Sequence, residues 1–159
     1  MTKEDDIDAH LLRLIDTHPL LFKGSEPAVF SYVPAGWYGL LDKLCTDIEK
    51  ALGAEGCADF EVRQVKEKFA TLRFYYRLGE SEDVHVDVIG PSGRLHFATR
   101  AEPGDDADLI QRVRELVDKA TDASGSTCQK CGAAGSIRNL SGYLVTLCDA
   151  HFGEAKEEK

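Results

Sequence analysis

Two pairs of metal-ligand residues stand near the end of the 159-residue chain. Two residues separate the members of each pair, and sixteen residues separate the pairs, which are Cys128 with Cys131 and Cys148 with His151. A Cys-x2-Cys turn lets two thiolates converge on one ion, and a second pair completes the tetrahedron that zinc prefers. The spacing therefore predicts one Zn²⁺ ion held by these four side chains.

The zinc is expected to be structural rather than catalytic. Four protein ligands leave no position for water, whereas catalytic zinc usually keeps one position open. The chain also has no His-x-Glu sequence of the kind that zinc deaminases use. A disulfide framework is disfavoured, because the five cysteines are odd in number and the polar, acidic first residues do not resemble a secretory signal.

A second candidate site is the outer face of a predicted β-hairpin at residues 59–78. A period of two between apolar residues predicts this hairpin, and its outward residues include Val65 and four basic or aromatic side chains. These candidate phosphate-binding residues are Arg63, Arg73, Tyr75 and Arg77. Guanidinium groups beside a tyrosine could bind a nucleotide or a nucleic acid by charge and stacking. The same residues would equally suit an ordinary solvated face with salt bridges.

A third, weaker candidate lies in the next predicted hairpin. A Gly-Pro-Ser-Gly turn at 90–93 pairs Asp87 with His96 across the strands and puts His85 on the same face. Such a group could hold a metal or transfer protons, as in a metal-dependent hydrolase. Polar residues on the outer face of a half-buried hairpin are the more ordinary interpretation.

The charge of the chain is negative and unevenly distributed. Nineteen Lys and Arg against 28 Asp and Glu give a net charge of −9, so a protein that wraps a phosphate backbone is a poor hypothesis. Residues 79–108 carry eight acidic and two basic side chains, a balance of −6. This acidic segment could steer a basic partner protein through its field. Its candidate contact residues are Glu80, Glu82, Asp83, Asp105 and Asp106.

Three helices and four strands are expected to position these residues. Apolar residues at helical spacing, bounded by Pro and Gly, predict helices at 5–17, 36–52 and 106–123. Alternating segments between the second and third helices predict four strands in an antiparallel meander. The predicted fold class is therefore α+β, with three helices packed on a four-stranded antiparallel meander and a small C-terminal treble-clef-like zinc finger.

The predicted domain organisation follows from these elements. Residues 1–125 form the α+β domain, and residues 79–107 within it carry the second predicted β-hairpin. Residues 126–153 form the zinc-binding finger, and residues 154–159 form a polar tail.

The remaining histidines and cysteines are assigned structural positions. His10 and His18 are expected at the surface or at a helix boundary. Cys45 lies beside the apolar stripe of the second helix and is expected to be a buried free thiol, and Cys57 is expected to be reduced.

Three segments of the chain together resemble a known family. They are Gly36–Cys45 (GWYGLLDKLC), Val65–Tyr75 (VKEKFATLRFY) and the finger at Cys128–His151. In this order they are similar to small, mostly uncharacterised phage and prophage proteins of bacteria, over about residues 20–78 and 108–152. The resemblance implies that 79–107 is a β-hairpin insertion relative to shorter members. The resemblance implies a viral or mobile-element setting, in which small proteins often bind host or defence factors, and it implies no reaction.

A non-catalytic binding protein is the function that these observations favour. The chain has no P-loop, no dinucleotide glycine fingerprint and no nucleophile elbow. No apolar stretch approaches the ~20 residues that span a bilayer, so a cytoplasmic protein of the bacterial host cell is expected. We predict a zinc-stabilised phage or prophage protein that engages a host or defence-system protein. The alternative is a nucleotide or nucleic-acid binder that uses the hairpin face.

Overall fold

The computed structural model has an α+β fold and describes most of the chain. The described residues are 9–23, 26, 29–79, 81–82, 84–90, 93–99 and 107–158. Between residues 81 and 99 the description covers the backbone alone.

Five α-helices occur among the described residues. They are α1 (Ala9–Thr17), α2 (Pro19–Phe22), α3 (Tyr38–Cys57), α4 (Ala107–Ser124) and α5 (Asp149–Glu157). A 3₁₀ turn at Ala35–Trp37 leads into α3. Within α3, Gly53 has a φ of 67°, so the regular helix is interrupted there and a short helical turn follows to Cys57. None of the described helices is both long enough and apolar enough to cross a lipid bilayer.

Seven β-strands occur among the described residues. They are β1 (Phe60–Lys68), β2 (Thr71–Leu78), β3 (Ser81–Glu82), β4 (Val84–Gly90), β5 (Gly93–Thr99), β6 (Ser136–Leu140) and β7 (Tyr143–Leu147). The first three form one antiparallel sheet. The pairs β4–β5 and β6–β7 are two separate antiparallel hairpins.

The prediction of three helices on a four-stranded meander is wrong. The described residues form five helices, and the second predicted hairpin, β4–β5, forms a sheet of its own instead of extending the first. β2 pairs with β3 only at Arg77 and Leu78. Near the opposite end of β2, the N–H of Leu72 donates to the hydroxyl of Ser124, the last residue of α4, at 2.8 Å. Alternation predicts strands and tight hairpins, but it does not determine which hairpins share a sheet.

A β-bulge in β1 changes which residues face the core. The register with β2 shifts between Val62 and Gln64, which makes Arg63 the extra residue of the strand. One extra residue moves every later side chain to the opposite face. Val65, predicted on the outer face, is therefore fully buried.

The main core lies between the helices and the inner face of β1 and β2. Its central side chains come from α3, α4 and the sheet, and include Leu41, Leu44, Ile48, Phe60, Leu72, Phe74, Val113 and Val117. Burial of a side chain of this size contributes about 1.5–3 kcal/mol. Trp37 is fully buried at the start of α3, where this core approaches the C-terminal metal-ligand residues.

Candidate metal centre

The four predicted metal ligands come from consecutive elements at the end of the chain. Cys128 and Cys131 lie in the turn after α4, Cys148 directly follows β7, and His151 lies in the first turn of α5. Between them, β6 and β7 are joined by a two-residue turn whose members both have positive φ. This tight reversal returns the chain to the first cysteine pair.

The ligand atoms of these residues converge. The Sγ atoms of Cys131 and Cys148 are 3.9 Å apart. His151 Nδ1 lies 3.2 Å from Cys148 Sγ and 3.6 Å from Cys128 Sγ, and all four ligand atoms lie within 4.8 Å of one another. A tetrahedron with zinc–sulfur bonds of about 2.3 Å and zinc–nitrogen bonds of about 2.0 Å requires ligand separations of about 3.5–3.8 Å. This group could therefore hold a metal ion such as zinc.

The turn after α4 directs backbone N–H groups at the Cys128 sulfur. Burial raises the pKa of Cys128, but backbone hydrogen bonds from Cys148, Cys131 and Lys130 outweigh it and lower the pKa to about 6. For Cys131, the hydrogen bond from the Ala133 backbone lowers the pKa, but burial and the two neighbouring sulfurs raise it above its ordinary value. Sulfurs this close repel one another when both are ionised, and a bound cation would relieve that repulsion.

His151 is oriented for the same role. Its Nδ1 faces the sulfurs, and its Nε2 lies 3.9 Å from a carboxylate oxygen of Glu154, one helical turn later. A carboxylate beside the second ring nitrogen favours the tautomer that leaves Nδ1 free to bind a metal.

Residues 126–157, called the C-terminal finger below, have a small apolar core of their own. The buried apolar residues in it are Cys128, Leu147 and Ala155. Phe152 packs against them from α5, and its ring centre lies 4.7 Å from the Arg138 guanidinium and 4.4 Å from the Lys156 ammonium. So small a core needs a further cross-link to stay folded, and in small domains of this kind a metal commonly supplies it.

The C-terminal finger packs directly against the start of α3. The N–H of Gly36 donates to the Gln129 carbonyl at 2.7 Å, and the Trp37 indole N–H donates to the Thr127 carbonyl at 2.9 Å. A Cβ at Gly36 would lie 2.0 Å from the Cys128 carbonyl oxygen, so only glycine permits this approach. These contacts give the Gly-Trp pair a physical role that its position in the sequence did not reveal.

A second contact joins the C-terminal finger to the β1–β2 turn. The buried hydroxyl of Thr146 donates to the Ala70 carbonyl at 2.7 Å. Phe69 and Ala70 have φ values of 53° and 68°, a conformation that Gly and Asn adopt at lower cost. The N–H of Ala70 also donates to the Glu67 carboxylate at 2.7 Å. Hydrogen bonds on both sides of Ala70 thus hold a turn that its own residues disfavour.

Three of the four candidate phosphate-binding residues lie at or near the surface. Arg63 and Arg77 are exposed, and their guanidinium groups lie 3.7 Å and 3.4 Å from the carboxylate oxygens of Glu61. Tyr75 is half-buried, with the Lys66 ammonium 5.4 Å from its ring centre. These contacts match the solvated face with salt bridges that the sequence left as an alternative.

Arg73 lies in the interior, contrary to its predicted exposed position. Only 3% of the residue is exposed, and its guanidinium donates to the Thr71 hydroxyl at 2.7 Å and to the Leu72 carbonyl at 3.1 Å. A phosphate in solvent cannot reach a guanidinium buried in this way. The four residues therefore do not form one open basic face.

The residues of the third candidate site are described by their backbone alone. The β4–β5 register pairs Asp87 with His96, as the predicted turn requires, and pairs His85 with Ala98. Their side chains lie outside the description.

Four of the five candidate contact residues of the acidic segment lie outside the described residues. Glu80, Asp83, Asp105 and Asp106 are not among them. Glu82 is described by its backbone, which pairs with Arg77 in the β2–β3 ladder.

His18 belongs to a buried network that the sequence did not reveal. It is 3% exposed, and its Nδ1 and Nε2 lie 2.9 Å from a Glu49 oxygen and 2.7 Å from an Asp42 oxygen. The two carboxylates stand two helical turns apart on one face of α3, so the imidazole joins the α1–α2 junction to α3. His10, in contrast, is exposed as predicted and stacks on Tyr38 with ring centres 5.2 Å apart.

Cys45 is a buried free thiol, as predicted, and Cys57 is also a free thiol but is buried, which the sequence did not predict. Burial is the main cause that raises the pKa of both groups, and the Glu49 carboxylate adds to it. Thiols of this kind are poor nucleophiles and poor metal ligands. They are separate from the candidate metal centre.

Comparisons with protein-family models, with curated proteins and with solved structures found no match to this chain. The resemblance to phage and prophage proteins therefore remains a prediction. The cluster of three cysteines and one histidine is the feature from which a function can be inferred.

Proposed function

We propose that this protein is a zinc-stabilised binding protein that acts without catalysis. One Zn²⁺ ion, held by Cys128, Cys131, Cys148 and His151, keeps the C-terminal finger folded and docked on α3. The convergence of three sulfurs and one imidazole nitrogen within 4.8 Å of one another carries this proposal.

The chemistry of the ligand set favours zinc. Calcium and magnesium take oxygen ligands, whereas thiolates and imidazole suit zinc in a tetrahedral site. Structural zinc contributes on the order of 10 kcal/mol to small finger peptides at neutral pH. Burial of a large apolar side chain contributes about 1.5–3 kcal/mol. The three buried apolar residues of the C-terminal finger therefore contribute less stability than the zinc ion. The metal is thus the main source of stability within the C-terminal finger.

A structural role follows from the number of ligands. Four protein side chains complete the tetrahedron, so the zinc has no position left for a reacting water. The second ring nitrogen of His151 lies 3.9 Å from a Glu154 carboxylate oxygen. The ion therefore maintains shape and takes no part in a reaction.

The proposed partner is a protein of the bacterial host or of its defence systems. The resemblance of three segments to phage and prophage proteins supports this setting, in the host cytoplasm. The balance of −6 across residues 79–108 suits a partner with a basic surface, because opposite fields accelerate encounter.

Metal analysis of the purified protein tests the zinc. About one zinc per chain is expected for a Cys3His site. Cys148→Ser should lose the metal, whereas Cys45→Ala removes a cysteine outside the cluster and should retain it. Wild-type protein that contains no zinc and yet keeps a folded C-terminal finger would overturn the proposal.

Affinity capture from a host lysate, followed by binding kinetics with the purified partner, tests the second part. Neutralising Glu80, Glu82, Asp83, Asp105 and Asp106 should slow association and reduce its salt dependence. A matched variant neutralises five exposed carboxylates of α4 and the C-terminal residues: Glu115, Asp118, Asp122, Glu157 and Glu158. Equal association rates in the two variants would contradict a role for the acidic segment.

A further inference from the structure

A cleft of about 520 Å³ lies beside the contact between the start of α3 and the turn that carries the first cysteine pair. One wall comes from residues between 35 and 43, and the other comes from residues between 127 and 132. Clefts that bind small molecules commonly have volumes of about 300–1,000 Å³. The space is therefore large enough for a nucleotide-sized ligand.

The side chains that line the cleft include two lysines and the proposed zinc ligand Cys131. Lys43 and Lys130 line it, and no carboxylate occurs among the described residues that do so, although the whole chain has 28 acidic and 19 basic residues. Lys43 is exposed and contacts Asp47 one turn along α3. In the described part of the chain, Lys130 has no ion-pair partner. Lys130 is therefore the lysine of the lining whose charge no described carboxylate offsets, and an anion in the cleft would compete with Asp47 for Lys43.

Gly39 lines the same cleft and has no packing reason to be glycine. A Cβ at this position would meet no atom within 4 Å, in contrast to Gly36, whose neighbours exclude any side chain. Glycine destabilises a helix relative to alanine. At Gly39 it leaves the helix backbone uncovered on the wall of the cleft, where a ligand can approach it.

We infer that this cleft binds a small phosphate-bearing anion of about nucleotide size. Lysine is a compact point charge that binds phosphate without the fixed geometry that the planar fork of arginine imposes. The inference goes beyond the proposed function, which requires only the zinc ion and a partner protein. It also differs from the arginine face of β1 and β2, because the two lysines lie on α3 and in the metal-binding turn.

Calorimetric titration of the zinc-loaded protein with ADP and with inorganic phosphate, at low ionic strength, tests the inference. ADP should bind saturably and more tightly than phosphate, and added salt should weaken both. The double variant Lys43→Gln/Lys130→Gln should bind ADP at least about tenfold more weakly, equivalent to about 1.4 kcal/mol. The matched double variant Lys50→Gln/Lys119→Gln changes exposed lysines outside the cleft and should bind as the wild type does.

A pair of glycine variants separates binding from folding. Gly39→Leu should fold with an unchanged or higher Tm and should lose ADP binding, because the side chain enters the cleft. Gly153→Leu, at an exposed helical glycine of α5 that also has no atom within 4 Å of its Cβ position, should keep ADP binding.

Two outcomes would overturn the inference: no ADP binding by the wild type at low ionic strength, whether or not an oligonucleotide binds, or equal binding of ADP by both double-lysine variants. Zinc content is measured on the same samples. A zinc-loaded protein that binds no ADP would refute ligand binding in the cleft and would leave the proposed metal centre unaffected.

Discussion

The N–H of Gly36 donates to the carbonyl of Gln129 at 2.7 Å, so the segment that leads into α3 is hydrogen-bonded to the backbone of the metal-binding turn. The two backbones are in direct contact, because a Cβ at Gly36 would lie 2.0 Å from the Cys128 carbonyl oxygen. The N–H groups at the start of a helix have no acceptor within the helix. The Gln129 carbonyl supplies one for Gly36. The candidate metal centre and the main core are therefore mechanically connected, and a change in one should affect the other.

The substitution Gly36→Ala should destabilise the protein by about 1–3 kcal/mol, because the added methyl group overlaps backbone atoms that cannot move aside. Gly39→Ala is the matched control, since its Cβ would meet nothing within 4 Å. It should leave stability unchanged or raise it by up to about 1 kcal/mol through helix propensity. Urea unfolding of both variants measures the difference. Similar effects at the two glycines would contradict the close approach at Gly36.

Zinc removal should be visible at Trp37, the only tryptophan of the chain. Its indole N–H donates to the Thr127 carbonyl at the edge of the metal-binding turn. A chelator should therefore shift Trp37 emission to longer wavelength and lower the Tm, and added zinc should reverse both changes. Cys45→Ala, as a control, should respond as the wild type does. Complete zinc loss without a change in emission or Tm would show that the metal does not hold the finger on α3.

The metal ligands could be predicted from the sequence because the signal is local. The spacing of Cys128, Cys131, Cys148 and His151 follows directly from the geometry of a tetrahedral ion. The residues that support the centre carry no such signal. Gly36 is required by an approach between segments about 90 residues apart, and nothing in its neighbours along the chain indicates that approach.

The fold was predictable only in part, for a similar reason. The apolar stripes of α3 and α4 and the alternation of β1 and β2 are periodic, so the elements themselves could be read from the sequence. A one-residue bulge at Arg63 reversed the face of Val65, and periodicity does not locate such a bulge in advance. The pairing of β2 with a third strand is limited to Arg77 and Leu78, and near the other end of β2 the N–H of Leu72 donates to the Ser124 hydroxyl, a contact that alternation along the chain does not indicate.

Acidification should release the zinc, because protons compete for its ligands. The pKa of Cys128 is lowered from 9.0 to about 6 in the folded chain. Its thiolate therefore stabilises the metal-free fold fully above about pH 9, progressively less as the pH falls, and not at all below about pH 6. Zinc should accordingly bind more weakly as the pH falls through this range. Equilibrium dialysis across this range, with zinc measured in both compartments, tests the sign, and release on alkalinisation instead would contradict it.

The buried contact between His18 and Glu49 should contribute to stability. The Glu49 side chain is 27% exposed and its oxygen lies 2.9 Å from the imidazole. Glu49→Gln should therefore cost about 1–3 kcal/mol. Asp42→Asn should cost less than about 1 kcal/mol, because that carboxylate is 58% exposed and well solvated. Glu55→Gln, which removes an exposed charge from the same helix, should change stability by no more than about 0.5 kcal/mol. Equal losses in all three variants would refute a specific role for His18.

The hydrogen bond from Thr146 to Ala70 should couple the C-terminal finger to the main sheet. Thr146→Val keeps the side-chain shape and removes the hydroxyl, so the Ala70 carbonyl loses a buried donor at 2.7 Å. The expected cost is about 1–3 kcal/mol, and Thr146→Ser, which retains a hydroxyl, should cost less. Because the Phe69–Ala70 turn has unfavourable positive φ values, loss of this bond should also speed hydrogen exchange in the turn.

The same variant tests whether the metal stabilises the main sheet through this bond. Zinc removal should lower the stability of β1 and β2 by less in the valine variant than in the wild type, because the variant lacks the hydrogen bond from Thr146 to Ala70. Hydrogen exchange with and without chelator measures that difference, and the same loss in both proteins would show that the coupling runs through α3 alone.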